Sequence, residues 1–242
     1  MVTPSRVVAV LSAFAAALLI AGCTATPGST SPTSTPGAST APGAGDDDFA
    51  DVEAALLDEG RMFAVVTWGS STCVPQVDTV TAEGQNVSVT LVDGAADQVC
   101  TQDMVQRASI GGLPAGVDPT KDITLQVTYG DISDDAEIGG APVTGVPGES
   151  TEYQPSAGWF DDGSLVLLTW GSSGCPPVVE SLEGSGNAGT ATFVTDDTQI
   201  CTMDMAPRAT ILSFGDDAVD DDGFTLTLVG GGLDGTVSVL AD

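Results

Sequence analysis

The pentapeptide Thr67-Trp68-Gly69-Ser70-Ser71 recurs letter for letter as Thr169-Trp170-Gly171-Ser172-Ser173. In each copy a cysteine follows two residues later, and a proline stands two residues beyond the cysteine. A second block, Cys100–Ile110, returns as Cys201–Ile211 with Cys-Thr, Asp-Met and Arg-Ala at matching positions. Both blocks recur after 101 or 102 residues. A separation this constant predicts one domain duplicated in tandem.

The first 22 residues have the pattern of an export signal. Arg6 precedes an apolar run, Val7–Ile20, and Ile20-Ala21-Gly22-Cys23 resembles a bacterial lipobox. The run of about 14 residues is short for a bilayer span, which needs roughly 20. The resemblance implies cleavage before Cys23 and attachment of diacylglycerol and palmitate there. It places the chain, lipid-anchored, on the extracytoplasmic face of the bacterial cell membrane; a plain secretory signal is the alternative.

Residues 23–47 separate this signal from the rest of the chain. Thr24–Gly45 consists almost wholly of Ser, Thr, Pro, Gly and Ala. Because it has no apolar side chain larger than alanine, it cannot form a core, and we expect a disordered tether. Beyond it the repeats predict a first β-domain at residues 48–139, a linker at 140–150 and a second β-domain at 151–242.

The chain has five cysteines, of which four remain once the lipidated one is set aside. Four cysteines allow three pairings, and the duplication selects the one that repeats, Cys73–Cys100 and Cys175–Cys201. An exported chain meets the oxidising conditions in which such bonds persist. Zinc binding is the alternative, but the absence of histidine and the presence of only two thiols per domain argue against it.

Apolar and β-branched runs recur at matching positions in both repeats, with glycine, proline and aspartate between them. Met62–Trp68 and Leu165–Trp170 end at the repeated turn, whereas Ile123–Tyr129 and Phe224–Val229 alternate with period two. Only Glu53–Leu57 invites interpretation as a helical turn. The pattern predicts an all-β protein with about six antiparallel strands per domain. We expect a tandem pair of small, disulfide-stapled, immunoglobulin-like β-sandwiches, with barrels as the alternative.

The charge balance and the missing residue types restrict the function. There are 34 acidic residues against 5 basic ones, a net charge of −29, and no histidine. Such a surface repels nucleic acid and favours cations and basic partners. Without histidine the usual general base is missing, and no phosphate-binding or dinucleotide-binding loop is present. We therefore predict no enzymatic activity; a hydrolase that uses paired carboxylates is the third-ranked alternative.

The repeated residues around the Trp-Gly-Ser-Ser turn are the candidate binding residues. They are interpreted first as a structural turn and second as a recognition surface displayed twice. Each arginine follows an aspartate by four residues, so Arg107 and Arg208 are expected to pair with Asp103 and Asp204 or a nearby carboxylate; the alternative is binding of an anionic ligand. The candidates are Trp68, Ser70, Ser71, Arg107, Trp170, Ser172, Ser173 and Arg208.

The acidic cluster near Asp217, Asp220 and Asp222 is the best candidate for calcium, which prefers several oxygen ligands on a turn. Its spacing does not match an EF-hand, and a solvated acidic loop is the default interpretation. No other cofactor is expected. A calcium-binding or cation-binding surface protein is the second candidate function.

The combination Trp-Gly-Ser-Ser-x-Cys-x-Pro with Cys-Thr-x-Asp-Met is similar to a motif of uncharacterised lipoproteins and secreted proteins of actinobacteria. The resemblance covers both repeats, implies export and disulfides, and carries no known activity. The first candidate function is therefore a membrane-anchored, non-catalytic module that binds an envelope component or another exported protein.

Overall fold

The computed structural model describes residues 51–215 and 218–241. The predicted signal, the lipidation site Cys23 and the whole predicted tether lie outside these residues. Within them the protein is all-β, as predicted, with fourteen strands and a single 3-10 turn at Asp58–Gly60. No helix in the described part of the chain is long and apolar enough to cross a membrane.

The strands of repeat 1 form two sheets, with the orders β1-β2-β5 and β3-β4-β6-β7. Both sheets contribute buried side chains to one hydrophobic cluster, the repeat 1 core. The strands are β1 Glu53–Leu57, β2 Met62–Gly69, β3 Gln76–Glu83, β4 Asn86–Val92, β5 Val105–Gly112, β6 Ile123–Tyr129 and β7 Ile132–Ile138.

Repeat 2 follows the same plan, with β8-β9-β12 facing β10-β11-β13-β14 across the repeat 2 core. A short parallel pairing of β14 with β8 joins its two sheets at one edge. The strands are β8 Ser156–Asp161, β9 Ser164–Gly171, β10 Val179–Ser185, β11 Ala188–Phe193, β12 Ala206–Ser213, β13 Thr225–Gly230 and β14 Gly235–Leu240.

The strand order corrects the expectation of purely antiparallel, immunoglobulin-like connectivity. In each repeat one pair is parallel, β4 with β6 and β11 with β13. The immunoglobulin order would place the third strand beside the sixth, but here the fourth lies between them. The parallel pair arises because the intervening strand, β5 or β12, belongs to the opposite sheet. The chain therefore leaves and re-enters the larger sheet in the same direction.

The segment Glu53–Leu57 is a strand and not the helical turn that its sequence suggested. Its last four residues are all buried, because β1 is covered on both faces. Ala54 and Leu56 belong to the repeat 1 core, whereas Ala55 and Leu57 belong to a different cluster. A strand buried on both faces shows an unbroken apolar run, which periodicity alone cannot distinguish from a buried helix.

That different cluster, the middle core, joins the two repeats. It contains buried side chains of β1 and β2 on one side and of β8 and β9 on the other. Phe160, Val166 and Leu168 of repeat 2 face Ala64 and Val66 of repeat 1 in this cluster. The four sheets therefore stack as successive layers with three cores between them, and both repeats belong to one compact unit.

Backbone contacts show how closely the repeats approach. A side chain at Gly158 would overlap the carbonyl oxygen of Leu56, so only glycine fits there. The Ser156 hydroxyl accepts a hydrogen bond from the Asp58 amide at 2.9 Å. Asp58 is itself buried and accepts two hydrogen bonds of 3.0 Å from the Arg61 guanidinium. These contacts stack β1 against β8, with the two strands running in opposite directions.

Candidate binding surface at the disulfide-linked turns

Both predicted disulfides are present, and each fixes a turn to the segment that enters the next strand of the same sheet. Cys73 and Cys100 have Cα atoms 5.4 Å apart, and those of Cys175 and Cys201 are 5.6 Å apart. The first bond connects the turn after β2 with the loop before β5. The second connects the turn after β9 with the loop before β12. We call these two assemblies disulfide turn 1 (residues 69–75 and 93–105) and disulfide turn 2 (residues 171–177 and 194–206).

An arginine in β5 or β12 stabilises each turn by donating hydrogen bonds to its backbone carbonyl groups. Arg107 donates from Nη1 to the carbonyl oxygen of Cys73. In turn 2 the Arg208 guanidinium donates to the carbonyl oxygens of Cys175 at 3.0 Å and Trp170 at 2.9 Å. The repeated glycine is explained by the same contact, because a Cβ at Gly69 would overlap the Arg107 guanidinium.

The expected ion pairs of these arginines with the aspartates four residues earlier do not form. Among the described residues the ion pairs are Arg61–Asp58 and Lys121–Asp118. Asp103 lies in the loop before β5, and its carboxylate turns back to accept from the Ser71 amide at 3.2 Å and from the Thr101 hydroxyl. A four-residue spacing brings side chains together on a helix, but here one partner is in a loop and the other in a strand.

The aspartates carry perturbed pKa values because of these hydrogen bonds. Hydrogen bonds from Ser71 and Thr101 lower the pKa of Asp103 to about 2. Those from Thr202 and Ser173 lower the pKa of Asp204 to about 2. The pKa of an aspartate in an unfolded chain is about 3.9. The native state therefore gains stability from both groups above that pH, and loses it as the pH falls from about 4 towards 2.

We predict that the double variant Asp103→Asn/Asp204→Asn has a smaller loss of stability than the parent chain between pH 5 and pH 2. Its urea midpoint should lie below that of the parent at pH 7 and approach it at pH 2, because the charge-dependent contribution is removed. The double variant Asp78→Asn/Asp131→Asn, which changes the net charge equally at exposed sites, is the control. An equal gap between variant and parent at every pH would contradict the assignment.

The candidate serines are used within the turns. The Ser70 hydroxyl lies 2.9 Å from the Thr101 hydroxyl, and the Ser172 hydroxyl lies 2.7 Å from that of Thr202. The Ser71 and Ser173 amides donate to the aspartates, each at 3.2 Å. These contacts agree with the structural interpretation of the motif, in which the serines fix the turn.

The two tryptophans of the repeated motif, Trp68 and Trp170, occupy half-buried positions at the ends of β2 and β9. Trp170 packs against the middle core, and Tyr153 from the connecting segment meets it edge-on with ring centroids 5.0 Å apart. Trp68 borders a small cavity of about 40 Å³ beside Tyr129 and Ile132. Both rings thus support the ends of strands that carry the disulfide turns.

Several large apolar side chains on the disulfide turns are exposed to solvent. Val99 is 87% exposed and Met104 is 59% exposed in turn 1. In turn 2, Ile200 is 95% exposed, Met203 is fully exposed and Met205 is 62% exposed. These side chains were not among the predicted binding residues, although an apolar residue recurs immediately before the second cysteine of each repeat and a methionine recurs four residues after that cysteine.

Two cavities border the turns. One, of about 590 Å³, lies where the repeats meet and takes its walls from both of them, including Pro75, Ile110, Pro176 and Arg208. The other, of about 360 Å³, lies within repeat 2 between disulfide turn 2 and the β13–β14 connection. Both volumes fall in the range of about 300–1,000 Å³ that is usual for ligand pockets. Arg208 contributes to both cavities.

The acidic cluster proposed for calcium falls partly outside the described residues, because Asp217 is not among them. Asp220 and Asp222 are described. Within the described ranges no group of three or more aspartate, glutamate, cysteine or histidine side chains is arranged to hold a metal ion.

Comparison with protein-family models, with curated proteins and with solved structures finds no match to this chain.

Proposed function

We propose that the protein is a membrane-anchored extracytoplasmic lipoprotein whose two β-sandwich repeats bind an exported or envelope protein without catalysing a reaction. The observation that carries the proposal is the pair of disulfide turns, which hold large apolar side chains in solvent at matching places. The lipid on Cys23 and the tether would keep these turns within reach of partners near the membrane.

Isolated exposed apolar residues are common on protein surfaces, but these lie close together in the chain, and two of them in each turn stand at matching positions. The turns are held by a disulfide, an arginine and several side-chain hydrogen bonds, so their shape does not depend on burying the exposed residues. Methionine side chains are flexible and polarisable and adapt to irregular partner surfaces. The surrounding acidic surface would favour a partner with an apolar centre and a basic rim.

Substitution of the exposed residues tests the proposal. We predict that Ile200→Ser/Met203→Ser/Met205→Ser abolishes repeat-dependent capture of a partner by cross-linking on intact cells, with the tagged full-length lipoprotein as bait. The melting temperature should stay near that of the parent, because exposed substitutions usually change stability by less than about 0.5 kcal/mol.

The matched control is Ile132→Ser/Val146→Ser, which removes exposed apolar side chains outside the disulfide turns. It should capture the same partner in the same amount as the parent chain. Equal capture by the turn variant and the parent would refute the proposal, as would equal loss in the control.

A further inference from the structure

The two repeats differ at one position beside the supporting arginine. In repeat 1, Tyr129 at the end of β6 pairs with Leu91 of β4. In repeat 2, Gly230 at the end of β13 pairs with Phe193 of β11. The sequence separation of 101 residues and the strand register both identify Gly230 as the counterpart of Tyr129.

In repeat 1 the tyrosine ring completes the support of disulfide turn 1. The Cζ atom of Arg107 lies 5.8 Å from the centroid of the Tyr129 ring, within the range of a cation–π contact. The Tyr129 hydroxyl donates to the Asp93 carboxylate. The guanidinium is thus held between the turn carbonyls and an aromatic face, and its side chain is nearly buried.

In repeat 2 the corresponding space is a cavity. The chain continues as Gly230-Gly231-Gly232, and the cavity of about 360 Å³ opens beside Arg208 with Gly231 and Gly232 in its wall. Gly230 has φ +77°, and a Cβ there would lie 2.6 Å from the Phe193 carbonyl oxygen. Repeat 2 therefore cannot supply an aromatic ring from its own position 230.

The arginine facing this cavity is only partly satisfied. Arg208 donates to two carbonyl oxygens, but its Nε is buried without a hydrogen-bond partner, as is the Nε of Arg107 in repeat 1. It forms no ion pair in the described part of the chain, and burial lowers its pKa. Thr195, Asp196 and Asp197 line the same cavity and offer hydroxyl and carboxylate acceptors, as Asp93 does in repeat 1.

We propose that this cavity binds a phenolic ring in the place that Tyr129 fills in repeat 1, and that the ring is a tyrosine side chain of a partner polypeptide. The ring would stack on Arg208, and its hydroxyl would donate to an acceptor of the Thr195–Asp197 segment. The inference deepens the proposed binding function and rests on it, since it names the partner group that disulfide turn 2 would receive.

Titration of the full chain with p-cresol and with N-acetyl-tyrosinamide tests the site by NMR. We expect one saturable site per chain, with ring-current shifts of the Val178 and Val194 methyl groups and a shift of the Arg208 Nε resonance. Both valines line the cavity. The non-aromatic analogue 4-methylcyclohexanol should bind at least tenfold more weakly, because it lacks the face that stacks on the guanidinium.

Three variants distinguish binding at this cavity from non-specific binding elsewhere on the surface. Val178→Trp, at an exposed wall position, should fill the cavity, weaken both probes at least tenfold and leave the melting temperature unchanged. Tyr129→Ala should open the matching space beside Arg107, so that p-cresol binds at two sites per chain. Arg208→Lys keeps the charge but loses the planar face, and should weaken binding of both probes.

The outcomes distinguish the two proposals. No probe binding to the parent chain, unchanged binding by Val178→Trp, or equal binding of 4-methylcyclohexanol would overturn the phenolic site. Even then, partner capture that is lost in the Ile200→Ser/Met203→Ser/Met205→Ser variant would still support the proposed function. Binding of p-cresol without N-acetyl-tyrosinamide would replace the polypeptide tyrosine with a small phenol. Binding of both probes, together with partner capture that the disulfide turn variant does not reduce, would support the phenolic site and overturn the proposed function.

Discussion

Replacing Phe160 with alanine is expected to lower the free energy of unfolding by about 3–5 kcal/mol, the usual range for a buried phenylalanine. Phe160 is 2% exposed and lies in the middle core, where it is surrounded by side chains from both repeats. Truncation leaves a cavity between two sheets that are held in place by their own outer cores, so little collapse can offset the loss. Urea denaturation followed by tryptophan fluorescence measures the change.

The same experiment tests whether the repeats unfold together. Trp159 and Trp170 report on repeat 2, and Trp68 reports on repeat 1. In single-tryptophan versions of the chain, we expect both repeats to show one midpoint, which Phe160→Ala lowers equally. Leu125→Ala, in the repeat 1 core, is the matched control and should also lower both midpoints. Destabilisation of repeat 2 alone would show that the middle core does not couple the repeats.

The sequence carried the signal for this stacking in β2 and β9. Both strands are continuous apolar runs, and such runs are typical of strands covered on both faces. The structure divides β2 accordingly, with Phe63 and Val65 in the repeat 1 core and Ala64 and Val66 in the middle core. The apolar run in β2 does not show which element covers its second face. That depends on how the two repeats are oriented when they pack, and their relative orientation is not encoded in the run.

Strand direction was the part of the fold that sequence patterns could not give. Alternation with period two places Ile123–Tyr129 correctly as β6, but it is the same for parallel and antiparallel neighbours. The direction of β6 relative to β4 depends on β5 joining the other sheet. That assignment follows from packing and not from any local property of Val105–Gly112.

Of the candidate surface, the disulfide pairing was predicted correctly, whereas the contacts of the two arginines and the difference between the repeats were not. The disulfides were predictable because duplication removes two of the three possible pairings. The support by Arg107 and Arg208 was mistaken for ion pairing, because backbone carbonyl acceptors leave no mark in a sequence. The cavity in repeat 2 depends on Gly230 standing where repeat 1 has Tyr129, and an alignment of the repeats beyond their conserved motif would have revealed it.

Removal of either disulfide is expected to lower the free energy of unfolding by about 3.5 kcal/mol in the chain-entropy model. The bonded cysteines are 27 residues apart in repeat 1 and 26 in repeat 2, so the two losses should be nearly equal. The variants are Cys73→Ser/Cys100→Ser and Cys175→Ser/Cys201→Ser. Urea midpoints with and without dithiothreitol give the measurement. In each variant, dithiothreitol should lower the midpoint only by the contribution of the one disulfide that remains.

The two losses should differ in their effect on the disulfide turns themselves. In turn 1 the Tyr129 ring and Asp93 still hold Arg107 beneath the turn after the bond is removed. Turn 2 has no such ring, so hydrogen exchange at residues 194–206 should rise more than at 93–105. Equal exchange in both turns would mean that the aromatic ring adds no rigidity. Unchanged hydrogen exchange in both turns would mean that the disulfides do not hold Val99, Ile200 and the methionines in their exposed positions. Other contacts of the turns would then have to fix the proposed binding surface.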